Sequence, residues 1–144
     1  MKRICGKFFC AKVKNDRTQD DGLVRSVRDE YAVCAVSFTD CEAKLTKEIG
    51  SADNVKASFD VLALAVAPFK EVFRFDEGDT YYKVKVNEPY TDDYGKEKKT
   101  AIYYLLNAKD FENARQNAEE IYKGTTIEHE IAAIIEQKII DVLE

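Results

Sequence analysis

Two short stretches of this chain set aromatic rings beside cations. In "YYKVKV", residues 81–86, strand alternation sends Tyr82, Val84 and Val86 to one side and Tyr81, Lys83 and Lys85 to the other. In "FFCAKVK", residues 8–14, the same rule separates Phe9, Ala11 and Val13 from Phe8, Cys10, Lys12 and Lys14. Rings and ammonium groups on one face suit a single-stranded nucleic acid. Unpaired bases stack on rings for about 1–3 kcal/mol each, and lysine or arginine neutralises the phosphates. Further cations follow each stretch. Arg25 and Arg28 enter the next strand in one case, Lys96, Lys98 and Lys99 in the other, with Tyr94 in the intervening turn. The candidate nucleic-acid surface is therefore Phe8, Lys12, Lys14, Arg25, Arg28, Tyr81, Lys83, Lys85, Tyr94, Lys96, Lys98 and Lys99. A plainer account competes with it. Lysines on outward strand positions protect sheet edges, and aromatic residues are good strand formers.

Other chemistries find little support. The paired acids of "DRTQDDG" and "DDYGKEKK" lack the ligand spacing and terminal glutamate of a calcium loop, and read as hairpin tips turned by Gly22 and Gly95. No metal site and no cofactor are expected. The single histidine, His129, has no nucleophile beside it in sequence, and there is no nucleophile elbow, phosphate loop or dinucleotide fingerprint. An enzyme is not expected. Cys5, Cys10, Cys34 and Cys41 have neither zinc-ribbon nor redox spacing and read as structural thiols, Cys34 and Cys41 buried on a strand and a helix.

The chain has 144 residues, 45% hydrophobic and 34% charged, the composition of a folded domain. No apolar run reaches the roughly 18 residues that span a bilayer, and "MKRICGKFFC" resembles no leader peptide. A cytoplasmic protein is expected, with no membrane partner. The net charge of −5 argues against a strongly basic duplex binder, but it is uneven: residues 1–77 are neutral and 78–144 carry all of it. A local basic face on an acidic protein remains electrostatically effective.

The elements that must position these residues come twice. "FFCAKVKND" at 8–16 returns as "YYKVKVNEP" at 81–89, 73 residues later. Each is followed by a turn, a second strand and a helix. Asp40 and Asp110 are expected N-caps, Thr39 with Glu42 resembles a capping box, and Gly50 and Gly124 are expected stops. The expected apolar sides are Cys41, Leu45 and Ile49 in one helix, and Phe111, Ala114, Ala118, Ile121 and Tyr122 in the other. Then "FDVLALAVAPFKEVFRF" from 59 matches "HEIAAIIEQKIIDVLE" from 129, each expected to form two strands joined by a bend; helical spacing at 129–143 keeps a helix open there. The expected fold is α+β, a single domain of two β-β-α-β-β repeats, 7–77 and 80–144, equivalent to a permuted tandem ββββα. Phe59 to Lys123 would form one complete unit and the two ends the other, giving two curved antiparallel sheets packed with two helices.

Taken together, "KFFCAKVK", "AVSFTDCEAKLTKEI", "YYKVKV", "GKEKKTAIYYLLNAKDFENA" and "EIAAIIEQKIIDVL" resemble a family named domain of unknown function 4494. That resemblance implies an origin in Bacteroidetes or their phages, including crAss-like phages, and no activity. The element order is also similar to the Whirly and positive-cofactor-four group, which implies single-stranded DNA binding on sheet surfaces. The leading expectation is a non-enzymatic single-stranded DNA binder of phage or mobile-element replication or recombination. The alternatives are a protein assembly module, or a small-ligand sequestering protein that counters host defence. The acidic C-terminal strand would serve replication proteins or a homo-oligomer.

Overall fold

The computed structural model describes residues 1–50 and 59–144, with only the backbone considered at 17, 18, 50 and 59. Its elements are β1 (Lys2–Cys5), β2 (Phe8–Thr18), β3 (Val24–Cys34), α1 (Phe38–Gly50), β4 (Phe59–Val66), β5 (Glu71–Arg74), β6 (Thr80–Thr91), β7 (Glu97–Ala108), α2 (Phe111–Tyr122), β8 (Glu130–Gln137) and β9 (Ile139–Leu143). The expected order is present, with β1 added, and residues 130–143 form two strands rather than a helix.

The chain divides into two compact units. One comprises Met1–Cys5 and Pro68–Gln137, and carries α2 on the sheet β1-β5-β7-β6-β8. The other comprises Gly6–Ala67 and Lys138–Glu144, and carries α1 on the sheet β4-β2-β3-β9. The duplication extends to backbone detail. β2 pairs with β3 and β4 as β6 pairs with β7 and β8. The register breaks after Lys12 in one case and after Lys85 in the other, so a bulge recurs at the matching place. Both hairpin tips close alike: Gln19 N–H donates to Leu23 O and Asp92 N–H to Lys96 O, with Gly22 and Gly95 at positive φ.

Two expectations need correction. Residues 59–123 do not form one unit, because β4 pairs with β2 in the other sheet. Each repeat's final strand joins the sheet of the other unit: β5 follows β4 but lies beside β7, and β9 follows β8 but lies beside β3. The sheets are also not purely antiparallel. β5–β7 and β3–β9 are parallel, since a strand that arrives by crossover is free of the reversal a hairpin imposes.

Alternation builds one apolar face per sheet under each helix. Phe9, Ala11, Val13, Val33 and Leu143 pack with Cys41 and Leu45 of α1. Tyr82, Val84, Val86, Tyr104 and Leu106 pack with Ala114, Ala118 and Tyr122 of α2. Ile49 and Ile121 join these cores at their margins, whereas Phe111 is exposed with its ring 5.0 Å from that of Tyr82. α2 is capped as expected, Asp110 accepting from Asn113 N–H at 2.8 Å, and Gly124 takes positive φ beyond it. α1 begins elsewhere than expected. Ser37 Oγ accepts from Asp40 N–H and Asp40 accepts from Val36 N–H, so Asp40 lies inside the first turn and the cap is Ser37, not Thr39 or Asp40. The expected stop at Gly50 borders residues outside those described. Cys41 is buried, and burial pushes its thiol up to about 11. Cys10 and Cys34 are half-buried and Cys5 is exposed.

Asn107 and Gly78 fasten the start of β6 to the end of β7. Asn107 is buried; it accepts from Phe75 N–H at 2.7 Å and donates to Phe75 O and Gly78 O. On the sheet's border, Arg3 of β1 grips Glu71 of β5 through two hydrogen bonds of 2.6 and 2.8 Å.

Candidate nucleic-acid interface

Each sheet has a second face, opposite its helix. At one end that face is apolar and buried: Phe8, Ala32 and Val142 in the unit with α1; Ile4, Val72, Tyr81 and Leu105 in the unit with α2. Toward the hairpin tips the same face turns polar. Phe8 and Tyr81 therefore need correction as stacking rings. They stand on the predicted face, but Phe8 keeps 2% and Tyr81 7% of its exposure. A period of two states which face a residue takes; whether that stretch of face is covered depends on its neighbours across the strands.

The cations behind them lie on the polar stretch. Lys83 and Lys85 are half-buried on β6, flanked by β7 and β8. Lys85 is directly opposite Tyr103, and Lys83 Nζ stands 5.5 Å from the centre of the Tyr103 ring, a cation–π contact. Tyr103 is a half-buried ring that the sequence pattern left out. Its signal was its place across from Lys85, which only a register could supply. In the other unit Lys12 is exposed and Lys14 half-buried on β2, flanked by β4 and β3. Lys14 is directly opposite Arg28, a like-charge pair that costs stability unless an anion sits near. Asp60 of β4 flanks Lys14 on its other side, and Glu30 of β3 is opposite Lys12. Arg25 is exposed near the tip. Among the described residues no ion pair engages Lys12, Lys14, Arg25, Arg28, Lys83 or Lys85.

The tip of the β6–β7 hairpin extends beyond β8 as a two-stranded ribbon, since β8 stops at the level of Asn87. Tyr94 is 91% exposed there, and Tyr90, a second ring the sequence pattern passed over, is 47% exposed opposite Lys98. Asp92 shapes the turn. Its carboxylate accepts from Tyr94 N–H and Lys96 N–H, and these bonds, that to Lys96 first, hold it below the usual carboxylate range. The ribbon's cations divide. Lys98 is paired with Asp92 at 3.3 Å and Lys99 with Glu130 at 3.1 Å, while Lys96 is exposed without an ion pair among the described residues. Lys98 and Lys99 are partly neutralised, which weakens their predicted role.

On the helix side of the same sheet, His129 stacks on Tyr122, ring centres 4.0 Å apart, and its Nε2 is 2.8 Å from the Glu119 carboxylate. The Tyr122 hydroxyl donates to Glu88 at 2.9 Å and lies 3.2 Å from that of Tyr104. The bond to Glu119 raises the His129 pKa above its ordinary value. A raised histidine stabilises the fold fully below about pH 6.5 and loses that contribution as pH rises through the folded value. Thermal melts from pH 5.5 to 8 are expected to show stability falling on the alkaline side by up to about 1 kcal/mol, with that step absent from His129→Gln. An identical pH profile in the variant would refute the assignment. Beside this pair an open groove runs along α2 and β8, lined by Arg115, Glu119, Ile131 and Ile134 among others. Among the described residues no cluster of three metal-binding side chains occurs, and no helix is long and apolar enough to cross a membrane.

A family model described as "Domain of unknown function (DUF4494)" matches residues 7–144, so the chain belongs to that family. No curated protein and no solved structure matches the chain.

Proposed function

We propose that this member of the DUF4494 family binds single-stranded DNA, without enzymatic activity, on the polar stretches of its sheet faces. The observation that supports this is where the cations sit. Lysines that protect a sheet belong on its edges, yet Lys12 and Lys14 lie on β2 and Lys83 and Lys85 on β6, strands with neighbours on both sides. On interior strands they guard nothing, and they lack the ion pairs that would neutralise them among the described residues. Successive same-face positions on a strand repeat at about 7 Å, a spacing that lets a row of ammonium groups follow an extended sugar-phosphate chain. Tyr103 beneath Lys83 and the exposed Tyr94 at the hairpin tip replace Phe8 and Tyr81 as rings for base stacking, whereas Tyr90, in phase with Tyr82 and Val84, falls on the helix-side face. Lys12, Lys14 and Arg28 supply a second basic stretch on the other unit, while Arg25, three residues from Arg28, falls on the opposite face of its hairpin. A setting in phage or mobile-element replication or recombination, a Bacteroidetes or phage origin and a likeness to the Whirly group in element order belong to the same proposal.

The test is fluorescence anisotropy of a labelled oligothymidylate titrated with the full chain at several salt concentrations. Binding that weakens linearly in log–log form with added salt is expected. No binding at low salt and high micromolar protein would sink the proposal.

A further inference from the structure

Open strand edges recruit other strands, so natural sheets guard them with charge, proline, bulges or brevity. β4 is an edge of its sheet, paired with β2 alone among the described residues. Its run from Val61 to Val66 is "VLALAV", without a charge, and Leu62, Ala63, Ala65 and Val66 are exposed, Val66 at 56%. The duplicate strand β8 holds the matching place with the matching bulge, and so provides an internal comparison. β8 carries Glu136 where β4 carries Val66, and Glu130 where β4 carries Asp60. One copy of the repeat kept an acid at each end of its edge, and the other kept only one.

That difference selects the occupant. Pair β4 antiparallel with itself about Ala63: Val61 meets Ala65, Leu62 meets Leu64, and Val66 meets Asp60, with no like charges opposed. The same pairing of β8 about Ala133 sets Glu130 against Glu136 twice, and that of β9 about Asp141 sets two aspartates together. We propose that β4 pairs with β4 of a second copy, joining two sheets into one across a two-fold axis. The bulge at Leu62 in β4 has its match in β8, so it does not distinguish the two edges. One six-residue edge buries less than the roughly 1,200 Å² at which standard interfaces begin, so a weak, reversible dimer is expected.

The experiment is sedimentation velocity of the full chain over a concentration series, without nucleic acid, so its outcome stands apart from the DNA-binding test. A concentration-dependent dimer is expected. Val66→Glu installs the residue that β8 carries at that place and opposes Asp60 of the second copy; it is expected to weaken the dimer roughly tenfold or more. Val66→Lys opposes the same Asp60 with a cation and is expected to keep the dimer. A wild-type chain monomeric throughout, a dimer indifferent to Val66→Glu, or equal weakening by both variants would each overturn the proposal.

Discussion

The double variant Lys83→Glu, Lys85→Glu is expected to lose single-stranded DNA binding by about a hundredfold or more at low salt, while the chain stays folded. On the proposed site each reversal would remove a phosphate partner and install a repelling charge at the same position on β6. Both side chains emerge on the polar stretch of the sheet, and neither belongs to the core under α2. The reversal of Lys83 also gives up its contact with the Tyr103 ring, so a stability loss of about 1 kcal/mol is expected. The salt dependence is diagnostic: losing two phosphate contacts lowers its slope by about 2. Lys98→Ala with Lys99→Ala is the matched control, since Asp92 and Glu130 already hold those cations. Its effect should be smaller. Tyr94→Ala should cost about 1–3 kcal/mol of binding if that exposed ring stacks on a base. Unchanged affinity in a folded Lys83→Glu, Lys85→Glu chain would remove this face from the site and leave the unit carrying Lys12 and Lys14 to be tested by the same reversals.

Gly78→Ala is expected to destabilise the fold by about 3–5 kcal/mol, a large share of the stability a domain of this size has. A Cβ at Gly78 would stand 2.4 Å from the carbonyl carbon of Ala108 and 2.7 Å from its oxygen, and backbone atoms cannot rotate aside. The residue also has φ of +118°, a conformation that side chains rarely adopt. The close approach is fixed from both directions, because Asn107 Nδ2 donates to Gly78 O and Phe75 O while its Oδ1 accepts from Phe75 N–H. Relaxing the glycine outward breaks bonds to a buried amide, which costs about as much as the clash. Gly95→Ala separates the two causes. Gly95 shares positive φ, but a Cβ there would meet nothing within 4 Å, so only conformational strain of about 1 kcal/mol is expected. Chemical denaturation of both variants checks the difference; equal midpoints would show that the contact with Ala108 contributes nothing.

Much of the fold was legible because the chain states it twice. The match of "FFCAKVKND" to "YYKVKVNEP" located both hairpins, and the match of 59–75 to 129–144 decided strands over a helix where local spacing allowed either. What repetition leaves open is which copy a strand serves. β5 follows β4 by a bend at Pro68, and the sequence there reads the same whether the chain turns back onto its own sheet or crosses to the other. Crossing is settled by where the strand finds its hydrogen bonds and buries Val72 and Phe73, contacts distant in sequence.

The candidate site divides along the same line. By itself the sequence determined the alternation: Lys12, Lys14, Lys83 and Lys85 share the face away from the helices, with Phe8 and Tyr81 in line, because a strand has a period of two whatever its neighbours are. Only the tertiary structure decided what that face meets. It buried Phe8 and Tyr81, since Ala32, Val142, Leu105 and Val72 make the same end of each face apolar. It placed β2 and β6 inside their sheets, and it brought Tyr103 across from Lys85. Burial and register are set by residues tens of positions apart, and no local pattern carries them.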